Sequence, residues 1–286
     1  MSADVVQLVE CPRDAMQGWK TFIPTEKKIE YINSLLKVGF HTIDFGSFVS
    51  PKAIPQMADT KDVLKGLNLD NSTSHLLAIV ANVRGAEEAL AFDEITFLGF
   101  PFSLSPTFQI RNTNSTPAES EKRIDQIADL CRKNNKKLVV YLSMGFGNPY
   151  GDPYNEDVMI KEAGKMVDRG IEIISLADTV GLATPQQVRF AVNTLTTAYP
   201  KTDFGVHLHS TPQNIREKLQ AATEAGCRRF DGALKGIGGC PMAQDDLVGN
   251  MQTEKMIAYF SEKKILPDLN KEALQRSLEL AAEIFS

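Results

Sequence analysis

The chain has 286 residues, 43% of them hydrophobic and 23% charged, with a net charge of −5, a composition typical of an ordinary globular protein. The acidic balance offers no basic face to nucleic acid or to an anionic membrane surface, which excludes both as expected partners. No apolar run approaches the roughly 20 residues of a membrane-spanning helix, and the first nine residues show neither the basic start nor the long apolar core of a leader peptide.

In chain order, an apolar run over 5–10 ends at Cys11-Pro12-Arg13-Asp14. A helix over 25–37 follows, with Thr25 as a cap, Lys27, Lys28 and Glu30 outward, and Ile29, Ile32, Leu35 and Leu36 inward. The pattern then repeats. A strand over 41–45, a long loop with Pro51 and Pro55, and a helix from Asp59 towards Gly66 form the second unit. Strands over 76–81, 94–98, 138–142, 171–176, 204–208 and 229–234 are each followed by a helical stretch: 85–91, 117–134, 157–168, 185–199, 211–225 and the C-terminal segment. Eight strand–helix units with continuous apolar strands predict a parallel sheet closed into a (β/α)8 TIM barrel. No Gly-x-Gly-x-x-Gly turn follows the first strand, as an open dinucleotide-binding sheet would require. The expected organisation is one barrel domain over 1–286, with 235–286 as the loop after the eighth strand and C-terminal helices. Long loops fall after strands 2, 4, 5 and 8, on the face where such barrels build their sites.

Two of the four histidines, His207 and His209, stand two apart in a strand-like run and therefore face the same way. Alone, such a pair more often serves packing or hydrogen bonding than a metal. Strand ends elsewhere offer Asp14, Asp44 and Asp178, and the loop after strand 8 offers Asn250. Two imidazoles with carboxylate and amide oxygens suit an octahedral Mg2+ or Mn2+ better than a structural zinc. In isolation Asp14 reads better as a turn cap paired with Arg13, and Asp178 before Gly181 could as well close a turn. The glycine-rich stretch 236–241 ends in Cys240-Pro241, where a thiol beside a metal or histidine can act as an acid or base. Cys11, Cys131 and Cys227 read as packed thiols. With no Cys-x-x-Cys pair, the cysteines indicate a reducing compartment, and the cytoplasm is the expected location.

From about Val6 to Tyr259 the chain resembles the 3-hydroxy-3-methylglutaryl-CoA lyases, members of the metal-dependent barrel lyases. The resemblance rests on Pro12-Arg13-Asp14-Ala15-Met16-Gln17, the Ser47-to-Met57 segment, Ile174-Ser175-Leu176-Ala177-Asp178-Thr179-Val180-Gly181, the histidine pair, and residues 236–240 followed by Gly249-Asn250. It implies that Asp14, His207, His209 and Asn250 bind a divalent cation, that Arg13 stabilises an enolate oxygen, and that Cys240 moves a proton. Asp14 and His207 are counted with the catalytic set. Asp44 and Asp178 are expected to line the acyl pocket, and Lys20 to lie near the acyl-CoA entrance. The implied reaction is retro-Claisen cleavage to acetyl-CoA and acetoacetate, of the kind used in leucine degradation. The implied partner is an acyl-CoA, and a homo-oligomer is compatible. The family has Glu at Asp44, Asp at Ser210, Gly-Leu at Ala15-Met16, and a different loop at Asn148-Pro149-Tyr150-Gly151-Asp152, so the differences cluster around the acyl pocket. The alternatives are a related carbon–carbon lyase or synthase acting on another hydroxyacyl thioester or hydroxy acid, and a binding barrel without turnover.

Overall fold

The computed structural model describes residues 5–239 and 248–286. Eight parallel strands, each hydrogen-bonded to the next in sequence, close into a barrel when the first pairs with the last. In order, the elements are β1 (Gln7–Glu10), α1 (Pro12–Gln17), α2 (Thr25–Leu36), β2 (Thr42–Ser47), α3 (Thr60–Lys65), β3 (His75–Ile79), α4 (Val83–Leu90), β4 (Ile95–Ser103), α5 (Pro106–Thr113) and α6 (Pro117–Lys133). There follow β5 (Lys137–Ser143), α7 (Glu156–Asp168), β6 (Ile173–Asp178), α8 (Pro185–Ala198), β7 (Asp203–Leu208), α9 (Ile215–Glu224), β8 (Arg229–Gly232), α10 (Thr253–Glu262) and α11 (Lys271–Ile284). The (β/α)8 expectation holds, and no described helix is long and apolar enough to cross a membrane.

Local chemistry explains the element boundaries. α6 and α8 begin with capping boxes, Thr116 with Glu119 and Thr184 with Gln187, each with proline at the first helical position, where its missing N–H costs nothing. α2 starts differently from the expectation. Thr25 is already helical, and its hydroxyl donates to Asp59 at 2.8 Å, so it ties α2 to the loop before α3. The stretch after β4 is also more ordered than expected: β4 runs on to Ser103, and Ser105-Pro106 opens α5 with the Ser105 hydroxyl accepting from Phe108 N–H at 3.1 Å.

Two hydrophobic layers meet at the strands. The larger lies between strands and helices, and a smaller one, Leu77, Phe97, Val139, Tyr141 and Ile173, fills the barrel interior. Inside, Arg229 is fully buried, its guanidinium 5.7 Å from the Phe97 ring. Gly205 makes room for it, since a Cβ there would stand 3.0 Å from the Arg229 stem. Outside the barrel, Glu10 joins β1 to the segment after β8. Its carboxyl accepts from Leu234 N–H at 2.8 Å and from the Thr253 hydroxyl at 2.6 Å.

Burial pushes the Glu10 carboxyl up to about 8. Below its ordinary value of 4.5 the group is protonated whether the chain is folded or not. Between there and about 8 only the unfolded chain is ionised, so stability falls as pH rises across that window. Glu10→Gln keeps an acceptor for Leu234 and removes the ionisation. We expect it to match the wild type near pH 4 and to exceed it at pH 8 by on the order of 1–3 kcal/mol in denaturant titrations. Equal pH slopes in the two proteins would contradict this account.

Candidate active site

The site is built where β1 ends. Proline at the start of α1 turns the chain so that Arg13 and Asp14 fall in the first helical turn, 8% and 7% exposed. Arg13 Nε donates to both Asp44 oxygens, at 3.2 and 3.0 Å, and Nη2 donates to Asp44 as well. Its Nη1 donates to Asp14 at 3.1 Å and to Gln17 Oε1 at 2.9 Å, while Gln17 Nε2 donates to Asp14 at 2.7 Å. The guanidinium is thereby fixed in the plane of two carboxylates, a geometry lysine cannot reproduce. Asp44, though one methylene shorter than the family's Glu, reaches Arg13 fully. Burial pushes its carboxyl up to about 6 against the pull of Arg13. Burial opposes ionisation of Asp14 too, but there Arg13 and the two histidines prevail and its pKa is lowered.

Opposite α1, β7 delivers the histidines. His207 lies on the strand. His209 follows it and is held by an antiparallel bridge to Asn250, with Ser210 N–H donating to Gly249 O at 3.0 Å and Met251 N–H to Leu208 O at 3.3 Å. One ligand atom each from Asp14, His207 and His209 lies within 4.8 Å of the others. Asn250 Nδ2 donates to Asp14 Oδ2 at 2.6 Å and to Ile237 O at 3.0 Å, completing the ring. Gly238, at φ +109°, allows this approach, because a Cβ would stand 2.5 Å from Asn250 Nδ2. His207 Nδ1 lies 3.2 Å from Asp231 Oδ2 on β8, so the carboxylate orients the ring and leaves Nε2 for a ligand. Burial opposes protonation of His207, but the Asp231 hydrogen bond and charge raise its pKa. His209, with no such partner, is pushed down to about 4 by burial and then by His207, and so stays neutral.

This donor set fits a divalent cation. Among the described residues, the His209 Nδ1 atom is buried without a hydrogen-bond partner beside a carboxylate and a second imidazole, as expected of a side chain placed for coordination. Among the described residues, the Asp14, His207 and His209 group offers oxygen and imidazole donors, and Cys11 lies with His207 and Asp231 in a second such group.

A cavity of about 520 Å3 opens above these groups, lined by Arg13, Asp14, His207 and His209 together with Tyr141 and Arg111. The other expected residues are placed as follows. Asp44 lies directly beneath Arg13. Lys20 is exposed and borders a neighbouring groove with Trp19 and Phe22, outside the central cavity. Asp178 does not line the cavity. The inward face of β6 there belongs to Ala177, and Asp178 turns outward to Lys218, at 2.8 Å. Cys240 lies outside the described residues. Two side chains of the site escape a reading of the sequence alone. Gln17 was visible as the residue four after Arg13 and three after Asp14 on one helical face. Asp231 stands with Arg229 in β8, Arg-Phe-Asp-Gly, and two charges in so short a barrel strand are the available signal.

Fold and site together define a (β/α)8 enzyme with a cation-ready acidic and imidazole centre beside a fixed guanidinium. Residues 6–280 match the HMGL-like family model. The chain is 33% identical to the hydroxymethylglutaryl-CoA lyase of Bacillus subtilis over 92% of its own length and 87% of that protein. It is 32% identical to the mitochondrial hydroxymethylglutaryl-CoA lyase of Rattus norvegicus over 96% and 83%. Its structure superposes on an HMG-CoA lyase of Acinetobacter baumannii, solved with coenzyme A and 3-methylmalate, with a TM-score of 0.91 and 32% identity over 100% of this chain and 93% of that one. The chain belongs to the HMGL-like family, and the relatives named here are carbon–carbon lyases.

Because Arg13 is held by ionised Asp44, activity is expected to fall as pH drops through about 6. A charged hydrogen bond of about 1.5–3 kcal/mol corresponds to about 10–100-fold in rate. Asp44→Asn is expected to lose that much and to be flat between pH 5 and 7. A pH–rate profile retaining the acid limb in this variant would assign the limb to another group.

Proposed function

We propose that the chain is a divalent-metal-dependent hydroxymethylglutaryl-CoA lyase, converting 3-hydroxy-3-methylglutaryl-CoA to acetyl-CoA and acetoacetate. One observation carries the reading: Arg13, held by Asp44, faces the same cavity as Asp14, His207 and His209. Family membership and the A. baumannii structure's coenzyme A support an acyl-CoA substrate.

Asp14, His207, His209 and Asn250 would hold Mg2+ or Mn2+. Such an ion supplies a Lewis acid that lowers the pKa of a hydroxyl bound to it. The chain's own residues account for the rest of the chemistry. Asp14 and His207 border the volume where the C3 hydroxyl would lie. Asp14, with a carboxylate oxygen to spare beside the ion, is the group that would take its proton, while His207, with Nδ1 on Asp231 and Nε2 toward the ion, would orient that oxygen. As that proton leaves, the oxygen's electrons form the ketone of acetoacetate and the C2–C3 bond breaks. Its electron pair passes into the thioester as an enolate. Arg13, already oriented before substrate arrives, stabilises the charge growing on the thioester oxygen. Cys240, by its place in the family motif, returns a proton to the enolate carbon, giving acetyl-CoA. Asp178 and Lys20 act at a distance, Asp178 through the packing behind the site and Lys20 at its rim. The free thiols Cys11, Cys131 and Cys227 accord with a cytoplasmic location, and the products with leucine degradation.

With saturating Mn2+, the purified protein is expected to release acetoacetate from 3-hydroxy-3-methylglutaryl-CoA. Arg13→Ala, which removes the enolate's charge partner, is expected to lose about 10³-fold or more in kcat with a smaller change in KM. Wild-type turnover in that variant would refute the assignment. Chelation is expected to abolish activity and Mn2+ to restore it, and full activity after complete metal removal would exclude the cation's role.

A further inference from the structure

Behind His209, on the side away from the cavity, Lys218 of α9 is 1% exposed. Its Nζ donates to Asp178 Oδ2 at 2.8 Å, to the His209 carbonyl at 2.8 Å and to the Gly181 carbonyl at 3.4 Å, which uses all three donors of the ammonium group. Asp178 is equally buried and also accepts from Ala183 N–H at 3.1 Å. One ammonium thus joins the end of β6, the loop after it, the end of β7 and α9.

The attachments lead straight to the cavity. His209 carries its ring into the cation site on one side of the backbone and offers its carbonyl to Lys218 on the other. Thr179, next to Asp178, lines the cavity, and its hydroxyl accepts from Met144 N–H at 2.9 Å at the end of β5. A buried ion pair is weak evidence of a stabilising device, because an apolar pair of similar volume commonly does as well. What it does provide is a fixed geometry, here for a backbone carbonyl that belongs to a candidate ligand.

We propose that Lys218 is a positioning residue for the cation site: with Asp178, it fixes the His209 backbone and so sets the distance of that imidazole from Asp14 and His207. This rests on the cation-binding reading above. It gives Asp178 a role through Lys218 in place of contact with substrate.

The test is Mn2+ affinity in the absence of substrate, read from the electron paramagnetic resonance signal of free Mn2+. The test variant is Lys218→Met/Asp178→Asn, which keeps side-chain volume and an acceptor for Ala183 while removing both charges. It is expected to bind Mn2+ about 10–100-fold more weakly, the usual effect of losing a group that orients a ligand. Lys28, expected to face outward on α2 but 1% exposed and paired with Asp59 at 2.7 Å, supplies the control: Lys28→Met/Asp59→Asn touches none of the candidate ligands and is expected to stay within twofold of the wild type. Should Lys218→Met/Asp178→Asn not fold, Lys218→Gln, which keeps a donor for the His209 carbonyl without the charge, is expected to weaken binding about 3–10-fold. Affinity within twofold of the wild type in a folded Lys218 variant, or an equal loss in the Lys28 control, would overturn the proposal and leave the cation site standing. Wild-type protein that binds no Mn2+, or binds it equally well as Asp14→Asn, would overturn the cation reading and this inference with it.

Discussion

Arg13 and Asp14 are consecutive, charged and both more than nine-tenths buried, and neither could sit where it does without the other. Removing a guanidinium from water is tolerable only if its donors are matched, and here Asp44, Asp14 and Gln17 match them. The consequence is more than local stability. Arg13 is held in one orientation before any ligand arrives, and Asp14 is held ionised by the same contacts. A site prepared in this way needs little reorganisation during the reaction, which is where a barrel scaffold helps most.

The remainder of the mouth is arranged around that pair. β2 brings Asp44 under Arg13, β7 brings two imidazoles opposite Asp14, and the segment after β8 folds back so that Asn250 closes the ring on Asp14. The last of these contacts needs backbone to come very close, which is why Gly238 stands where a Cβ would strike the Asn250 amide. The two histidines are differentiated by what lies behind them: a carboxylate, Asp231, behind His207, and no such carboxylate behind His209, where burial outweighs the other influences. One pKa is raised and the other lowered on neighbouring rings 5.6 Å apart.

Much of this could be read from residues in order. The apolar strands, the prolines that open α6 and α8, and the spacing of His207 and His209 are local signals that led to the right elements, whereas the cap read at Thr25 did not. Non-local contacts were harder to read. α5 was hidden because Ser105-Pro106 reads as loop punctuation when no helix is expected, although it is also a cap followed by a favoured first residue. The resemblance puts Asp178 in the acyl pocket, but a strand-end carboxylate can point to either face. Its direction is decided by Ala177 taking the inward face and by Lys218, 40 residues further on. Asp231 depends on a histidine 24 residues away, a pairing that only the closed barrel reveals.

The central claim is that Asp14, His207, His209 and Asn250 form one divalent-cation site beside the Arg13 guanidinium. A crystal structure of the protein with Mn2+, using anomalous diffraction, tests this most directly. A single strong anomalous peak within coordination distance of Asp14 and both imidazoles, with Arg13 still on Asp44, is the expected result. Saturating Mn2+ with no peak between these side chains, or a peak elsewhere in the barrel, would contradict it.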